Sequence, residues 1–394
     1  MHHIRRTAAV GVVLCAALTA CSGNSSGGSS GGGDDNKAPG KSVAATPKIT
    51  VNLTGQQARA GAPVKVTLAE GTLDKVTVTG DKGGSLAGTL SPDGKSWTSA
   101  RSAAPGTGYT VQAATADGGR AQASFATAAA DHVNKVTMSP AKDTAVGVAQ
   151  PLSIVFDSPV KNKAAVEKQL KVTTSNNTEG SWGWIQDYSG RDRVDWRPKE
   201  YWKAGTKVSL QADLNGVDSG TSGGFFVRDY STRFTIGRNQ LTKVNLDTKQ
   251  LEVYRDGSRI RKIPVSGGTP GGDKRSWRGT AVVIAREGTI NMRSETVGLG
   301  HAYNKMVNDS MRLTWSGMYA HAAPWNAPFF GKANHSSGCI GMSDGDAGYL
   351  FGLTQVGDPF EITGAETKGT VAVGNGYGEW NLSWSAWQAR SALG

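Results

Sequence analysis

The chain has 394 residues, with 53 glycines, three cysteines and a formal net charge of +11. This length accommodates two or three domains. Basic residues are scattered among acidic ones rather than clustered, which argues against a nucleic-acid partner and fits weak attraction to an anionic wall or membrane surface. Helical periodicity is scarce and Val/Thr alternation is common, so we expect a mainly β structure.

The amino terminus predicts export. A short basic segment precedes an apolar run from Ala8 to Leu18, and Leu18-Thr-Ala-Cys21 follows. Such a run is too short to span a bilayer permanently but is typical of a secretory signal. We therefore expect residues 1–21 to be a lipoprotein signal with lipidation at Cys21, which would anchor the protein to the outer face of the cytoplasmic membrane. A signal peptide cut near Ala20 without lipidation is the alternative.

Two β units are predicted after this segment. Residues 22–47 are polar and rich in Ser and Gly, as in a flexible tether. Alternating runs separated by Gly and Pro turns predict one β-sandwich at residues 48–128 and a second at residues 129–237. The second contains four closely spaced tryptophans, which we interpret as core and domain seam, with stacking on sugar rings as the alternative: Trp182, Trp184, Trp196 and Trp202. Asp187, Asp192 and Asp195 are expected to be solvated.

A third unit is predicted at residues 238–365, with an extension at residues 366–394. Leu241 to Tyr254 indicates two strands and a turn, and Asp256-Gly257 marks a tight hairpin. Residues 281–285 indicate another strand. The Gly-rich loop before it lacks the pattern of a phosphate-binding loop. In the extension, tryptophans at positions 380, 384 and 387 predict one apolar face of a short packed helix.

Cys339 is the candidate nucleophile. Cys15 lies in the signal run and Cys21 at the lipidation position, so Cys339 is the free thiol expected in the mature protein. It ends a turn of small residues, and His321 precedes it by 18 residues, which suits two neighbouring β elements joined by a loop. A thiolate is a strong nucleophile, and an imidazole can lower the pKa of the thiol or take its proton. An inert cysteine is the alternative.

The sequence also contains candidates for the oxyanion donors and for the group that orients the histidine. Backbone N–H groups of the turn Ser336-Ser-Gly-Cys339 are candidate donors to an oxyanion. No Asp or Asn stands where it would orient His321, so a backbone carbonyl near Ala322 or Ala323 is the candidate. A metal site is the competing interpretation, and its ligands would be His301, His321, His335 and Cys339. The chain lacks CxxC and HxxxH spacing, and we predict neither metal nor cofactor.

These residues resemble the catalytic signature of the L,D-transpeptidases with a YkuD-type catalytic domain, especially the multidomain actinobacterial ones. The family pattern is a His, a gap, and then Ser/Thr-His-Gly-Cys with a hydrophobic residue after it. Here His321-Ala-Ala-Pro-Trp325 and Ser336-Ser-Gly-Cys339-Ile correspond. The resemblance covers most of the chain, because the two β units are similar to the family's immunoglobulin-like modules and the Trp-rich tail to its C-terminal extension.

The resemblance implies two immunoglobulin-like β-sandwich domains, a β-rich catalytic domain and a short helical, Trp-rich extension. It also implies peptidoglycan 3→3 cross-linking, in which a donor tetrapeptide stem loses its terminal D-Ala and a diaminopimelate amine of a second stem is the acceptor. Carbapenem β-lactams are the implied inhibitors. An L,D-carboxypeptidase and a non-catalytic wall-binding lipoprotein are the alternatives.

The roles that the resemblance implies fall on two groups of residues. Cys339 is the nucleophile, His321 the general base and acid, and Ala322 the carbonyl that orients it, while Ser337 and Gly338 supply oxyanion N–H groups. The second group contacts substrate: Met292, Tyr303, Ser316, Gly317, Trp325 and Ser336.

The chain departs from the family pattern at three positions. Ser337 replaces the usual His, Ala322 the usual Ser, and Gly341 the usual Asn or Arg. The resemblance implies that Ser337 contributes its backbone N–H and Ala322 its carbonyl, so catalysis is retained, but no side-chain role in substrate positioning is carried over to these positions. His335 would partly substitute for the missing His, with a solvent-facing loop histidine as the alternative. The resemblance implies that the segment 292–316 covers the cysteine, and its Gly, Asn and Asp residues predict a loop because they interrupt any long regular element.

Overall fold

The computed structural model describes residues 46–394. The signal segment, Cys21 and almost all of the tether lie outside these residues. Within the described range no helix has the length and apolar character needed to cross a bilayer. The expected mainly β class is confirmed by the strands that follow.

The first sandwich consists of two four-stranded sheets around one core. Its strands are β1 (Ile49–Val51), β2 (Pro63–Leu68), β3 (Leu73–Gly80), β4 (Ser85–Leu86), β5 (Gly88–Leu90), β6 (Ser96–Ser102), β7 (Gly108–Thr115) and β8 (Arg120–Ala126). The sheet orders are β1-β2-β6-β5 and β4-β3-β7-β8. Alternate residues such as Val64 and Val66 on β2 and Val111 on β7 are fully buried, as the period-two pattern predicts.

The second sandwich contains the tryptophan cluster. Its elements are β9 (His132–Val133), β10 (Val136–Ser139), β11 (Thr144–Val146), β12 (Leu152–Phe156), α1 (Lys163–Glu167), β13 (Leu170–Thr174), β14 (Gly180–Gln186), β15 (Asp192–Pro198), β16 (Lys207–Ala212), β17 (Gly224–Phe225) and β18 (Tyr230–Ile236). The two main sheets are β10-β12-β15-β14 and β11-β18-β16-β13. All four tryptophans are buried in the core between them, which confirms the core interpretation. Arg101 of the first sandwich pairs with Asp229 of the second.

The prediction that the three aspartates are solvated is wrong. The Asp187 and Asp192 side chains are only 9% and 12% exposed, and Asp195 departs furthest from the prediction. Its carboxylate is fully buried and accepts hydrogen bonds from Arg193 Nε at 2.8 and 3.0 Å. Glu379 of the extension is also fully buried, with Oε1 3.7 Å from the Arg193 guanidinium. Burial, together with the Asp195 charge, raises the pKa of Glu379. Val194 and Trp196 face the sandwich core, so Asp195 lies on the opposite face of β15, which is buried by residues of the extension far away in sequence.

The third unit consists of two sheets. Its elements are β19 (Gln240–Asn245), β20 (Gln250–Arg255), β21 (Ser258–Pro264), β22 (Gly279–Val282), β23 (Ala285–Arg293), β24 (Asn304–Arg312), β25 (Tyr319–Ala322), β26 (Ile340–Met342), α2 (Asp344–Leu353) and β27 (Pro359–Thr363). The sheet orders are β21-β20-β19-β27-β22 and β23-β24-β25-β26. The predicted hairpin at Asp256-Gly257 is confirmed. The single strand predicted at residues 281–285 is wrong, because β22 ends at Val282 and β23 begins at Ala285.

The segment predicted as a covering loop is a β-hairpin instead. Strands β23 and β24 pair antiparallel with two register shifts, and only a short 3₁₀ turn (Ser294–Val297) and the residues up to Tyr303 lie between them. The residues that suggested a loop occupy special backbone positions: Gly298 and Gly300 lie at the tip, and Asp309 has a φ of 53° within β24. Bulges accommodate such residues without ending a strand.

The extension packs on the body of the protein as predicted, with the second sandwich as its partner, but as two short helices rather than one. A 3₁₀ turn (Gly378–Asn381) precedes α3 (Trp384–Gln388). The rings of Trp380, Trp384 and Trp387 all lie over the buried guanidinium of Arg197, 4.7, 5.4 and 5.3 Å from its central carbon. Cation–π contacts of this kind are strong when the cation is desolvated.

Candidate active site

The sheet β23-β24-β25-β26 places the histidine and the cysteine side by side. Strands β25 and β26 are parallel neighbours, with His321 opposite Gly341, and Cys339 immediately precedes β26. The connection between them contains a 3₁₀ helix (Pro324–Phe329). The 18-residue spacing thus joins two adjacent strands, as predicted. Both side chains are buried, with 5% of His321 and 8% of Cys339 exposed.

The nucleophile turn is held by its own serine and by the preceding Gly-rich loop. Ser336 Oγ donates to the Cys339 carbonyl at 2.7 Å and accepts from the Gly338 N–H at 3.1 Å. Gly338 has a φ of 119°, which a residue with a Cβ rarely adopts. Ser276 Oγ donates to the Gly338 carbonyl at 2.8 Å, and the Thr269 N–H donates to the Ser336 carbonyl. The Gly-rich loop is therefore a structural support of the turn.

A cavity of about 260 Å³ opens onto the thiol. Four of the six residues predicted to contact substrate line it together with His321, Ser337 and Cys339: Met292, Tyr303, Trp325 and Ser336. Ala302, Lys305, Val307, Asn326 and His335 complete the lining, and nothing in the sequence had marked Lys305. The structure thus gathers residues from the hairpin, from the connection after β25 and from the nucleophile turn.

Ser316 and Gly317 are the two predicted substrate contacts that do not line this cavity. They lie on the other side of the thiol, beside a cleft that Gly338 also borders. The Gly317 carbonyl accepts the hydrogen bond of the Cys339 thiol at 3.7 Å. Ser316 is held by Asn375 of the extension, whose Oδ1 accepts from the Ser316 N–H and whose Nδ2 donates to Ser316 Oγ, both at 2.8 Å. In this geometry Ser316 supports the site rather than facing its main cavity.

The histidine has a defined tautomer. His321 Nδ1 lies 2.7 Å from the Ala322 carbonyl oxygen. Because a carbonyl only accepts, Nδ1 carries the proton and Nε2 keeps a free lone pair. The ring centre of Trp325 is 6.1 Å from that of His321. The site therefore contains an oriented imidazole that is able to take a proton.

Burial keeps both members of the pair neutral. It lowers the pKa of His321 to about 4, against an opposing contribution from the hydrogen bond to Ala322. It raises the pKa of Cys339 to about 11, partly offset by the Tyr319 backbone. Burial and the nearby thiol also raise the pKa of Tyr303 to about 12. The resting pair is consequently thiol and imidazole rather than thiolate and imidazolium.

The predicted oxyanion donors differ in availability. The Gly338 N–H donates to Ser336 Oγ and is not free, which corrects the expectation for that group. Within residues 46–394 the N–H groups of Ser337 and Cys339 have no hydrogen-bond acceptor. These two N–H groups are the ones left to face a developing negative charge.

The structure shows the surroundings of Gly341 and of His335, two residues named for the departures from the family pattern. A Cβ at Gly341 would lie 2.9 Å from Ala323 Cβ, so a larger side chain needs a shift of the strand. His335 borders the cavity and stacks on Phe329, with ring centres 4.1 Å apart.

The four residues of the metal interpretation do not lie together, because the His301 side chain is 91% exposed and pairs with Glu295 outside the cavity. No cluster of metal-binding side chains occurs in the described part of the chain.

Two comparisons use the sequence. Residues 239–362 match the family model of the L,D-transpeptidase catalytic domain, and residues 55–218 match that of a bacterial Ig domain. The chain is 33% identical to L,D-transpeptidase 2 of Mycobacterium tuberculosis, over 88% of this chain and 85% of that protein. It is 32% identical to L,D-transpeptidase 5 of the same species, over 84% of this chain and 74% of that protein.

A third comparison uses the structure. The solved structure of an L,D-transpeptidase in complex with imipenem has a TM-score of 0.50 and 31% identity. The match covers 59% of this chain and 100% of that chain.

Proposed function

The chain belongs to the L,D-transpeptidase family, and from this we propose that it forms 3→3 cross-links between peptidoglycan stem peptides. The Cys339 sulfur attacks the carbonyl carbon of the third residue of a donor tetrapeptide, and the thiol proton passes to His321. The bond to the terminal D-Ala then breaks, its nitrogen takes the proton from His321, and a thioester remains. A diaminopimelate amine of a second stem attacks the thioester, loses a proton through His321, and restores the thiol.

The oriented imidazole is the observation that carries this proposal. With Nδ1 fixed on the Ala322 carbonyl, Nε2 is free to accept the thiol proton and to return it. The thiol must rotate away from the Gly317 carbonyl, its acceptor in the free enzyme, before it attacks. Hydrogen bonds of a catalytic pair are often formed only in the complex with substrate.

The covered position of the thiol favours an amine acceptor. Cys339 is 8% exposed beneath the hairpin residue Tyr303, so a thioester formed there is shielded from bulk water. An L,D-carboxypeptidase, in which water resolves the thioester, is the alternative within the same chemistry. The non-catalytic wall-binding lipoprotein is set aside because the chain belongs to an enzyme family.

The test uses purified protein and muropeptides with tetrapeptide stems. We expect cross-linked dimers with loss of one D-Ala per dimer and no product from Cys339→Ala. Tripeptides without dimers would identify a carboxypeptidase. Full dimer formation by Cys339→Ala would contradict the cysteine mechanism itself.

Two further proposals accompany this function. Carbapenems should acylate Cys339, since a relative 31% identical to this chain has been solved in complex with imipenem. Lipidation at Cys21 should hold the enzyme on the outer face of the cytoplasmic membrane, where its substrate lies. This location rests on the sequence Leu18-Thr-Ala-Cys21 after the apolar run, which lies outside the described residues.

A further inference from the structure

The catalytic cavity contains one basic side chain and no acidic one. Among the residues that line it, Lys305 is the only lysine or arginine, and none is aspartate or glutamate. The histidine is neutral and the thiol is protonated, as argued above. A positively charged group in a pocket without counter-charge attracts anionic groups of a ligand.

Lys305 is directed toward the reacting residues. It lies on β24 opposite Met292, which also borders the cavity. Its Nζ is 4.4 Å from the ring centre of Trp325, and the same ring lies beside His321. The aromatic face holds the ammonium group without neutralising its charge.

Two cations of the third unit that stack on aromatic rings also pair with carboxylates, unlike Lys305, Lys243 and Arg286. Arg261 stacks on Tyr349 and also pairs with Asp346 at 3.0 Å. Arg312 stacks on Tyr319 and pairs with Glu287 at 2.8 Å. Lys305 has no carboxylate within 4.0 Å in the described chain. Its ammonium group is therefore available to a carboxylate from outside.

We propose that Lys305 binds the carboxylate of the acyl donor, which is carried by the carbon bonded to the nitrogen that Cys339 displaces from the attacked carbonyl. In the donor stem this is the terminal D-Ala carboxylate, and this part of the proposal rests on the proposed cross-linking function. In a carbapenem the ring carboxylate stands in the same chemical relation to the lactam nitrogen. One cation thus positions both kinds of acyl donor, through a charge-assisted hydrogen bond.

The test compares matched ligands that differ only in this carboxylate. The donor stem is used with a D-Ala carboxylate or carboxamide, and a carbapenem is used as the free acid or the carboxyl ester. The variants are Lys305→Met, Lys305→Arg and the control Lys262→Met, which removes the same charge from the exposed strand β21 outside the cavity. Acylation is followed by intact mass, and cross-linking by muropeptide analysis.

We expect the wild type to prefer each acid over its uncharged form, and Lys305→Met to lose this preference through a KM that rises about threefold to tenfold for the acids alone. Lys305→Arg and Lys262→Met should behave like the wild type. The preference should weaken as salt is raised, because the lysine is exposed. Equal loss for acid and uncharged ligand, or no change in Lys305→Met, would overturn the proposal.

The two proposals fail separately. If the wild type makes no dimers but the carbapenem pair still depends on Lys305, the carboxylate role is supported and cross-linking is not. If dimers form at the wild-type KM in Lys305→Met, cross-linking is supported and the role of Lys305 is overturned.

Discussion

At the scale of single residues, burial decides how the thiol is activated. The pKa of Cys339 rises to about 11 and that of His321 falls to about 4, so the two groups are neutral across the whole physiological range. A cysteine enzyme with an ion pair would instead have a thiolate at neutral pH. In the proposed mechanism the imidazole therefore removes the proton while the sulfur attacks, because burial disfavours both charged forms.

This predicts an unusual pH profile for acylation. The rate of carbapenem acylation should be flat from about pH 5 to about pH 9, since the base is already deprotonated above the lowered pKa of His321 and the thiol stays protonated below the raised pKa of Cys339. Intact mass after timed quenching gives the rate. An inflection near pH 6.5, the ordinary value for histidine, would contradict a base buried in its neutral form.

Some of these residues are readable from the sequence and others are not. Cys339 and His321 are identifiable because a lone thiol near a histidine has a chemical meaning, and the structure indeed brings them together. Ser276, Lys305 and Asn375 carry no such mark. They act through contacts with residues far away in sequence, 62 positions for Ser276 and Gly338 and 59 for Asn375 and Ser316. Only the folded sheet places them.

At the scale of elements, the hairpin β23–β24 is the cover of the site. Tyr303, in the connection between its two strands, is half-buried and lines the cavity next to Cys339. Sequence patterns indicated a loop because glycine, asparagine and aspartate usually end strands, whereas here bulges and a 3₁₀ turn accommodate them. The strands of the hairpin carry Met292, Lys305 and Val307 to the cavity, and the connection between them carries Tyr303.

We therefore predict that Tyr303→Ala lowers cross-linking about tenfold while changing acylation by a small β-lactam less than threefold. The large acceptor stem depends on a shielded thioester, whereas a small acylating agent does not. The matched control is Met306→Ala on the same strand, a side chain that is 63% exposed and outside the cavity. Equal loss of both activities in Tyr303→Ala would mean that the hairpin only supports the fold.

The extension is the second element that acts on the site. Asn375→Ala removes both hydrogen bonds to Ser316, the neighbour of the carbonyl that accepts the thiol. We predict a loss of about 1–3 kcal/mol in unfolding free energy and slower acylation of Cys339. Urea unfolding and intact mass would measure the two effects. If Asn375→Ala is fully folded and Cys339 is still acylated at the wild-type rate, the extension does not position the nucleophile.

At the scale of the whole molecule, the expected fold class and the family resemblance are confirmed by the matches to the catalytic and Ig-domain models and to the mycobacterial relatives. The alternation of short β runs was sufficient to predict two sandwiches. It did not predict the seam, where Arg193, Asp195 and Glu379 are buried together. Arg193 and Asp195 lie on one strand, but Glu379 comes from the extension, so the sequence around β15 does not indicate that the cluster is buried. The domain boundaries at residues 128, 237 and 365 stay predictions.

The location also remains a prediction at this scale. We expect the native protein to partition into the detergent phase and Cys21→Ala to remain in the aqueous phase, because two acyl chains hold a protein stably at a membrane. Cys15→Ala, within the same segment, is the control that should leave partitioning unchanged. A wild type recovered in the aqueous phase would contradict lipidation.

The contacts between the extension and the second sandwich make the site depend on a domain that contributes no residue to the catalytic cavity. Trp387 donates to the Ser181 carbonyl, the Trp184 N–H donates to the Arg390 carbonyl, and Asn375 completes the support of Ser316. The extension is therefore held by β14 and in turn holds the residue next to Gly317, whose carbonyl accepts the Cys339 thiol. Removal of the second sandwich would release the extension and, with it, the support of Ser316. The second sandwich is thus a structural part of the catalytic unit and more than a spacer in front of it.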